Sequence, residues 1–354
     1  MDRYELRRLD YSLTDDHLAL QSVYREFFAK NCTIETVWAA EDSGFDKSLW
    51  ERLCAMGATS MALPEAVGGD GATLVDLVIV AEEFGRSLAP VPWIDHVCAT
   101  RLLTELGALA GAEYAGEVVD GRRLVAMDCR MRPTPGPMLI PSGAIAEQII
   151  LRDGDGVVLL TFDTPPARVD NIARLPMAWI DTRQAATRTV LGRDTDVMDA
   201  YQRALDEWRL LTAAALVGLV DATLSIAVEF AKTRFTLGVP IGTLQAISHP
   251  LANIAITVEG GRNLARRAAW FRDNEPEVQT DLAPSAFVFM AEEAAKAATM
   301  AVHVQGGLGV STEAAATAYL VRARGWALAG GDPGATAIRV GRLIAAGAHQ
   351  DGRN

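Results

Sequence analysis

The chain has 354 residues, half of them apolar and few aromatic, with a formal net charge of −12. That length permits two or three packed layers around a large core, and the apolar content belongs to a globular rather than a disordered chain. The acidic balance argues against a general nucleic-acid or anionic-membrane surface, but not against a phosphate site, which needs only local donors.

Along the chain, Thr14 followed by Asp15 and Asp16 marks a helix start, and apolar residues continue from it at helical spacing. Further helical segments are expected over residues 46–56, 72–88, 96–106 and 108–119, with the Pro/Gly-punctuated loop MALPEAVGGDG between the first two. From about Arg122 the pattern changes to short β-rich runs at 124–127, 149–151, 157–162, 179–181 and 187–191, separated by turns such as Asp153-Gly154-Asp155-Gly156. From about Asp194 it is helical again, over roughly 197–232, 244–274, 280–304, 313–328 and 335–348, all rich in Ala and Leu. The expected fold is therefore α+β, mainly α: an N-terminal helical domain (1–121), a small central β domain (122–193) and a C-terminal domain resembling a four-helix bundle (194–354).

Cys32, Cys54, Cys98 and Cys129 show no CxxC spacing, so neither a zinc site nor a disulfide framework is suggested. The N-terminal stretch MDRYELRRLDYSLTDD is charged and lacks the apolar core of a secretory signal, which with the reduced thiols points to the cytoplasm. The apolar run at 210–220 is too short to span a bilayer and suits a buried core helix. His17, His96, His249, His303 and His349 have no metal-ligand spacing, and no nucleophilic triad, phosphate loop or dinucleotide fingerprint is present. No metal, nucleic-acid or membrane partner is expected.

Two stretches carry the chemistry. In TRFTLGVPIGTLQAISHPLAN, residues 233–253, Gly238, Pro240 and Gly242 break the helical pattern, and Thr243 is expected to cap the helix that resumes at Leu244. Arg234, Thr236 and Gln245 then offer a guanidinium, a hydroxyl and an amide beside a helix N-terminus, a donor set suited to a pyrophosphate or an adenine nucleotide. In HVQGGLGVSTE, residues 303–313, Gly306 and Gly307 lack side chains, so a phosphate-bearing ligand or another backbone can lie against the chain.

The pattern Arg-x-Thr-Leu-Gly-x-Pro-Ile-Gly-x-Leu-Gln, from Arg234 to Gln245, resembles the Arg-x-(Gln/Thr)-Phe-Gly-x-x-Ile-x-x-Phe-Gln signature of the acyl-CoA dehydrogenases, with Leu237 in place of the usual Phe. The 303–313 stretch resembles that family's Gln-x-x-Gly-Gly-x-Gly motif, with His303 in place of the Gln and Gln305 where many members have His. Residues 45–93, with Pro64, Glu65, Gly68 and Gly69, are similar to the family's N-terminal domain. The resemblance implies FAD as cofactor and an acyl-CoA substrate, with Arg234, Thr236, Gln245, His303, Gly306 and Gly307 meeting the ADP half of a flavin bound largely by a neighbouring subunit. It implies α,β-desaturation, in which a carboxylate removes the α-proton while hydride passes to the flavin.

Two family features are missing. The Thr-Glu-x-x-x-Gly-Ser-Asp flavin loop is not seen in CRMRPTPGPMLIPSGAIAEQIIL, and no Glu stands at either position where the family carries its base. Counting back from Arg339 places Asp332 in the first position, where capping of the last helix is its other role. Trp208 occupies the second, and Glu207, one residue or about 100° away, faces elsewhere. Such a chain resembles the smaller, base-lacking subunits of the α2β2 dehydrogenases of bacterial steroid side-chain degradation, in which a homologous partner supplies the base. The alternatives are a homotetramer with Asp332 as catalytic base, and a non-catalytic interaction protein of the same fold.

Overall fold

The computed structural model describes residues 10–130 and 136–351, with side chains to residue 346. Most of the charged N-terminal stretch, residues 131–135 of the segment lacking the flavin loop, and the His349 side chain lie outside the described part.

The first helices are α1 (Asp15–Asn31), α2 (Ile34–Ala39), α3 (Lys47–Ala55), α4 (Leu74–Arg86), α5 (Trp93–Glu105) and α6 (Ala115–Val119). Thr14 caps α1 as expected: its hydroxyl accepts from the His17 amide at 3.3 Å, and His17 Nδ1 accepts from the Thr14 amide at 3.2 Å. Thr73 and Asp76 cap α4 in the same reciprocal way. The helix expected over 108–119 shrinks to α6, because Gly107 and Gly111 take positive φ (68° and 73°) and unwind the chain before it. The short α2 was not expected from the sequence pattern.

The strands are β1 (Val125–Met127), β2 (Met138–Ile140), β3 (Gln148–Asp153), β4 (Gly156–Thr161), β5 (Ala178–Ile180) and β6 (Thr187–Gly192). A four-stranded sheet runs β1-β3-β4-β6, with β1 parallel to β3 and the remaining pairs antiparallel, and β2 pairs with β5 in a separate ribbon. The tight turn at Gly154-Asp155 closes the β3–β4 hairpin, with Gly154 at φ 62°. β2, only three residues long, carries no alternation by which the sequence could reveal it.

The remaining elements are α7 (Thr195–Thr233), the hairpin strands β7 (Phe235–Thr236) and β8 (Val239–Pro240), α8 (Gln245–Asn274), α9 (Leu282–Gln305), α10 (Ala315–Leu328) and α11 (Pro333–Asp351). α7, 39 residues long, is the axis. Among the described residues it alone is long and apolar enough to cross a bilayer, and 72% of its apolar window is buried inside the fold, as suits a core helix.

Small residues let α4 lie directly on α7. A Cβ on Gly85 would fall 1.8 Å from the Ala215 carbonyl oxygen, and one on Gly218 would fall 1.8 Å from that of Glu82, so the two backbones touch. Beside this crossing, Arg86 binds Glu83 and Asp221 at 3.0 and 2.6 Å, while Arg262 of α8 binds Glu82 and Asp221 at 2.8 and 2.9 Å. Asp273 at the far end of α8 accepts from the Leu74 and Val75 amides at 3.0 and 3.1 Å, satisfying the free N–H groups that open α4.

The bundle's direction follows from its short connections. Residues 234–244 join α7 to α8 and residues 275–281 join α8 to α9, so the three helices run down, up and down, and α7 and α9 finish at the same end of the bundle. A Cβ on Gly261 would meet Met290 Sδ at 2.3 Å and Val217 Cγ2 at 3.0 Å, so the three helices touch in one layer there. Val217 lies 16 residues before the end of α7, about 24 Å from that end.

Candidate functional site

At that end, Arg234 leads from α7 into the β7–β8 hairpin, whose two-residue loop is Leu237-Gly238. Both loop residues take positive φ, 51° and 79°, the conformation of a tight hairpin turn that usually prefers Asn-Gly. Leu237 accepts it with a strained backbone and a side chain 90% exposed. Arg234 and Thr236 are exposed, and the Arg234 guanidinium has no ion pair or hydrogen bond among the described residues.

Thr243 does not cap the next helix. It sits inside the turn Ile241–Thr243, so its hydroxyl points back and donates to the Pro240 carbonyl at 2.7 Å. α8 opens instead at Gln245 after Leu244, with no side-chain cap, and its exposed first turn keeps free N–H groups and the positive end of the helix dipole.

At the end of α9, His303 is exposed, and Gly306 takes φ 60° as its amide bonds back to the His303 carbonyl. A Cβ at Gly306 or Gly307 would meet nothing within 4 Å, so the backbone there faces open space. Gly309 differs: a Cβ would lie 2.5 Å from the Val302 carbonyl oxygen, and Thr317 pins the loop by donating to the Gly309 and Ser311 carbonyls, both at 2.9 Å. Between the exposed His303 and the glycine pair, the Gln305 amide nitrogen is buried without a partner among the described residues. A free guanidinium, an uncapped helix start, an open glycine backbone and an orphaned amide donor fit the ADP portion of FAD, whose diphosphate is all acceptor.

A second region lies where α5, the loop after β2, α7 and α10 meet. Trp208, Thr212 and Ala215 of α7 line a small cavity of about 50 Å³ together with Phe84, Asp95, Ser142 and Trp326. Trp208 Nε1 donates to Asp95 Oδ1 at 2.7 Å, and the Ser142 hydroxyl bonds the other carboxylate oxygen. Burial pushes the Asp95 carboxyl above its ordinary range, against the pull of those two bonds. A Cβ on Gly330 would fall 2.6 Å from the Trp208 ring, so the chain after α10 packs directly against the indole. Asp95, Ser142 and Trp326 were not found from the sequence. Asp95 reads there as an ordinary acid in the first turn of a helix, and the cavity is assembled from segments far apart in the chain.

The two candidate carboxylates point elsewhere. Asp332 is exposed, accepts from the Gly334 amide at 2.8 Å at the start of α11, and is not among the residues lining the cavity. Glu207 forms a two-pronged pair with Arg101, at 2.9 and 3.2 Å. Burial pushes its carboxyl up, but Arg101 and Arg272 together hold it below the ordinary carboxylate range, the state of a structural anion rather than a base. Its neighbour Asp206 binds Arg339 at 2.6 and 2.7 Å, tying α11 to α7.

Along α7 the two regions are far apart. Trp208 precedes Thr233 by 25 residues of continuous helix, about 37 Å.

The family model described as acyl-CoA dehydrogenase, N-terminal domain, matches residues 14–112, and the one for the C-terminal domain matches residues 198–345. The chain is 28% identical to acyl-CoA dehydrogenase IpdE2 of Mycolicibacterium smegmatis over 91% of its own length and 96% of that protein's. Its fold superposes on a variant of the Tcur3481-Tcur3483 steroid ACAD with a TM-score of 0.82 at 28% identity, and on the ChsE4-ChsE5 complex from Mycobacterium tuberculosis with 0.80 at 25%; each match covers 95% of this chain and 99% of the other. The chain belongs to the acyl-CoA dehydrogenase family, FAD-dependent oxidoreductases that act on CH–CH donors.

Proposed function

We propose that this chain is the ADP-binding subunit of a hetero-oligomeric acyl-CoA dehydrogenase that desaturates an acyl-CoA thioester at its α,β bond. Arg234, Thr236, Gln245, His303, Gly306 and Gly307 form an edge that takes the ADP half of a flavin whose ring sits in a homologous partner chain, and the partner supplies the base. The single observation that carries this reading is the separation of about 27 Å along α7 between that edge and Ala215, the nearest α7 residue lining the chain's own cavity. A cofactor touching the edge therefore extends toward another chain.

The cavity supports the same division of labour. An indole at position 208 stands where the resemblance calls for a carboxylate, and Asp332 is engaged with the Gly334 amide. The exposed apolar residues at the edge, Phe235, Leu237, Leu308 and Val310, would be covered by the partner. With FAD bound, the flavin would accept the hydride, and this chain's part is to hold the diphosphate and exclude water from it. The two-subunit names of the structural relatives favour an α2β2 assembly, and the steroid name of one favours a steroid side-chain CoA ester as substrate.

Co-expression with a homologous neighbour, followed by measurement of the flavin-to-protein ratio, tests the reading. One FAD per two chains in the complex, and none in this chain alone, is expected. A fully flavinated chain purified alone would instead support a homotetramer, in which Asp332→Asn should abolish turnover. A complex that never binds flavin would leave only the interaction-protein reading.

A further inference from the structure

The arginines of α8 differ in what they bind. Arg262 pairs with Glu82 and Asp221, Arg267 donates to the Gln279 side chain at 2.7 Å, and Arg272 lies 3.8 Å from Glu207. The half-buried Arg266 side chain makes no ion pair or hydrogen bond among the described residues, and its Nε is sealed from solvent. Burial holds its guanidinium below the ordinary range, and the nearby charges of Glu82 and Glu259 do not offset the lost hydration. We propose that Arg266 anchors a binding site for a small aromatic carboxylate, in the pocket between α8 and the segment that leads into α1.

The pocket has room for such a ligand. Its volume is about 300 Å³, far more than the roughly 10–15 Å³ that a single water needs. Arg266 and Trp270 stand one turn apart on α8 and so share a face, and Tyr11, Ser12, Thr14 and Val75 line the pocket with them. Of the three guanidinium nitrogens of Arg266 only Nε is sealed, so the edge formed by Nη1 and Nη2 is left to meet a ligand. A carboxylate matches that edge with two parallel hydrogen bonds. A ring attached to the carboxylate can then lie against the Trp270 and Tyr11 rings, and the Ser12 hydroxyl offers a further donor. Charge sets the valence of the ligand. Asp10 lines the pocket, and Asp76 lies 3.6 Å from Nε2 of His17, another lining residue. Two carboxylates on that side favour a ligand with a single negative charge over a phosphate monoester, which carries about two. A neutral ring would leave the guanidinium without a counter-charge. The pocket shares no residue with the diphosphate edge or with the cavity beside Trp208, so the inference is independent of how the flavin is held.

The test uses the full-length chain, in its complex where it purifies that way, titrated calorimetrically with benzoate, benzyl alcohol and inorganic phosphate. Benzoate should bind roughly tenfold or more tightly than either of the others. Arg266→Gln should weaken benzoate roughly tenfold or more and leave benzyl alcohol nearly unchanged. Arg266→Lys keeps the charge but not the two-pronged edge, so it should fall between the parent chain and Arg266→Gln, and it serves alone if the glutamine variant fails to fold. Trp270→Leu should weaken benzoate by a smaller factor, about threefold, through loss of the ring contact. Absence of benzoate binding at millimolar concentration, benzoate binding that survives unchanged in a folded Arg266 variant, or phosphate binding as tight as benzoate would overturn the proposal.

Discussion

Around Trp208, α7 is wrapped by α5, the loop after β2 and α10, and the side chains of Asp95, Ser142 and Trp208 bond one another behind an apolar wall. Twenty-five residues later the same helix ends in a hairpin whose Phe235, Leu237 and Val239 stand in solvent and whose Arg234 guanidinium has no partner among the described residues. The first region meets most of its needs within the chain and so contributes stability. The second leaves donors and apolar surface unmet, which a lone chain would not favour, and under the proposed function its residues serve recognition. Substitutions in the two regions should separate accordingly.

The largest effect is expected from Trp208→Ala. The side chain is 3% exposed, packs near Phe287, lies against Gly330 and donates to Asp95. Its removal leaves a cavity and an under-bonded carboxyl, and should cost about 3–5 kcal/mol of folding stability in denaturant titrations. A loss below about 1 kcal/mol would mean that the indole is not part of the core.

Next comes Glu207→Gln, expected to cost about 2 kcal/mol because Arg101 would lose its anionic partner at a largely buried site. The pH dependence has a defined sign. The Glu207 carboxyl is held below its ordinary value in the folded chain, so its contribution is present above the unfolded carboxylate range and is lost as pH falls through the folded value. The stability gap between the parent chain and Glu207→Gln should therefore close on acidification. A gap that stays constant to low pH would show that packing, not charge, sets it.

The contrast between the regions also explains what the sequence could show. The edge was legible because its message is local: Gly238, Pro240 and Gly242 interrupt helical spacing, and Gly306 and Gly307 open the backbone, all within short windows. The long Ala- and Leu-rich helices were legible for the same reason, through periodicity. Finer local detail was not: Thr243 was expected to cap α8, yet an intervening turn aims its hydroxyl at Pro240. The cavity was hidden because nothing in the sequence joins Asp95, Ser142, Trp208 and Trp326, which come from four separate segments. The close approach of Gly85 to Ala215 and of Gly218 to Glu82 was hidden too, since each glycine alone reads only as a weak helix former.

A smaller effect is expected at the hairpin tip. Leu237 holds a positive φ of 51° with its side chain in solvent, a combination that Asn tolerates better. Leu237→Asn should raise the stability of the isolated chain by about 0.5–1 kcal/mol. If the tip meets a partner chain, the same change should weaken assembly, measured as subunit dissociation by analytical ultracentrifugation. A variant that gains stability and assembles as before would place the partner contact away from the tip.

The smallest effect on folding, and the sharpest separation of the regions, belongs to Arg234→Ala. The guanidinium is exposed and makes no ion pair or hydrogen bond among the described residues, so its loss should leave thermal stability of the flavin-free chain within about 0.5 kcal/mol. A guanidinium bonded to phosphate contributes more than a neutral donor, about 1.5–3 kcal/mol, so the flavin affinity of the assembled enzyme should fall roughly tenfold or more. The ratio of flavin to protein absorbance after dialysis reads this directly. Unchanged folding with lost flavin would separate recognition from stability along a single helix, whereas unchanged flavin retention would mean that the diphosphate rests on the glycine loop without help from the hairpin.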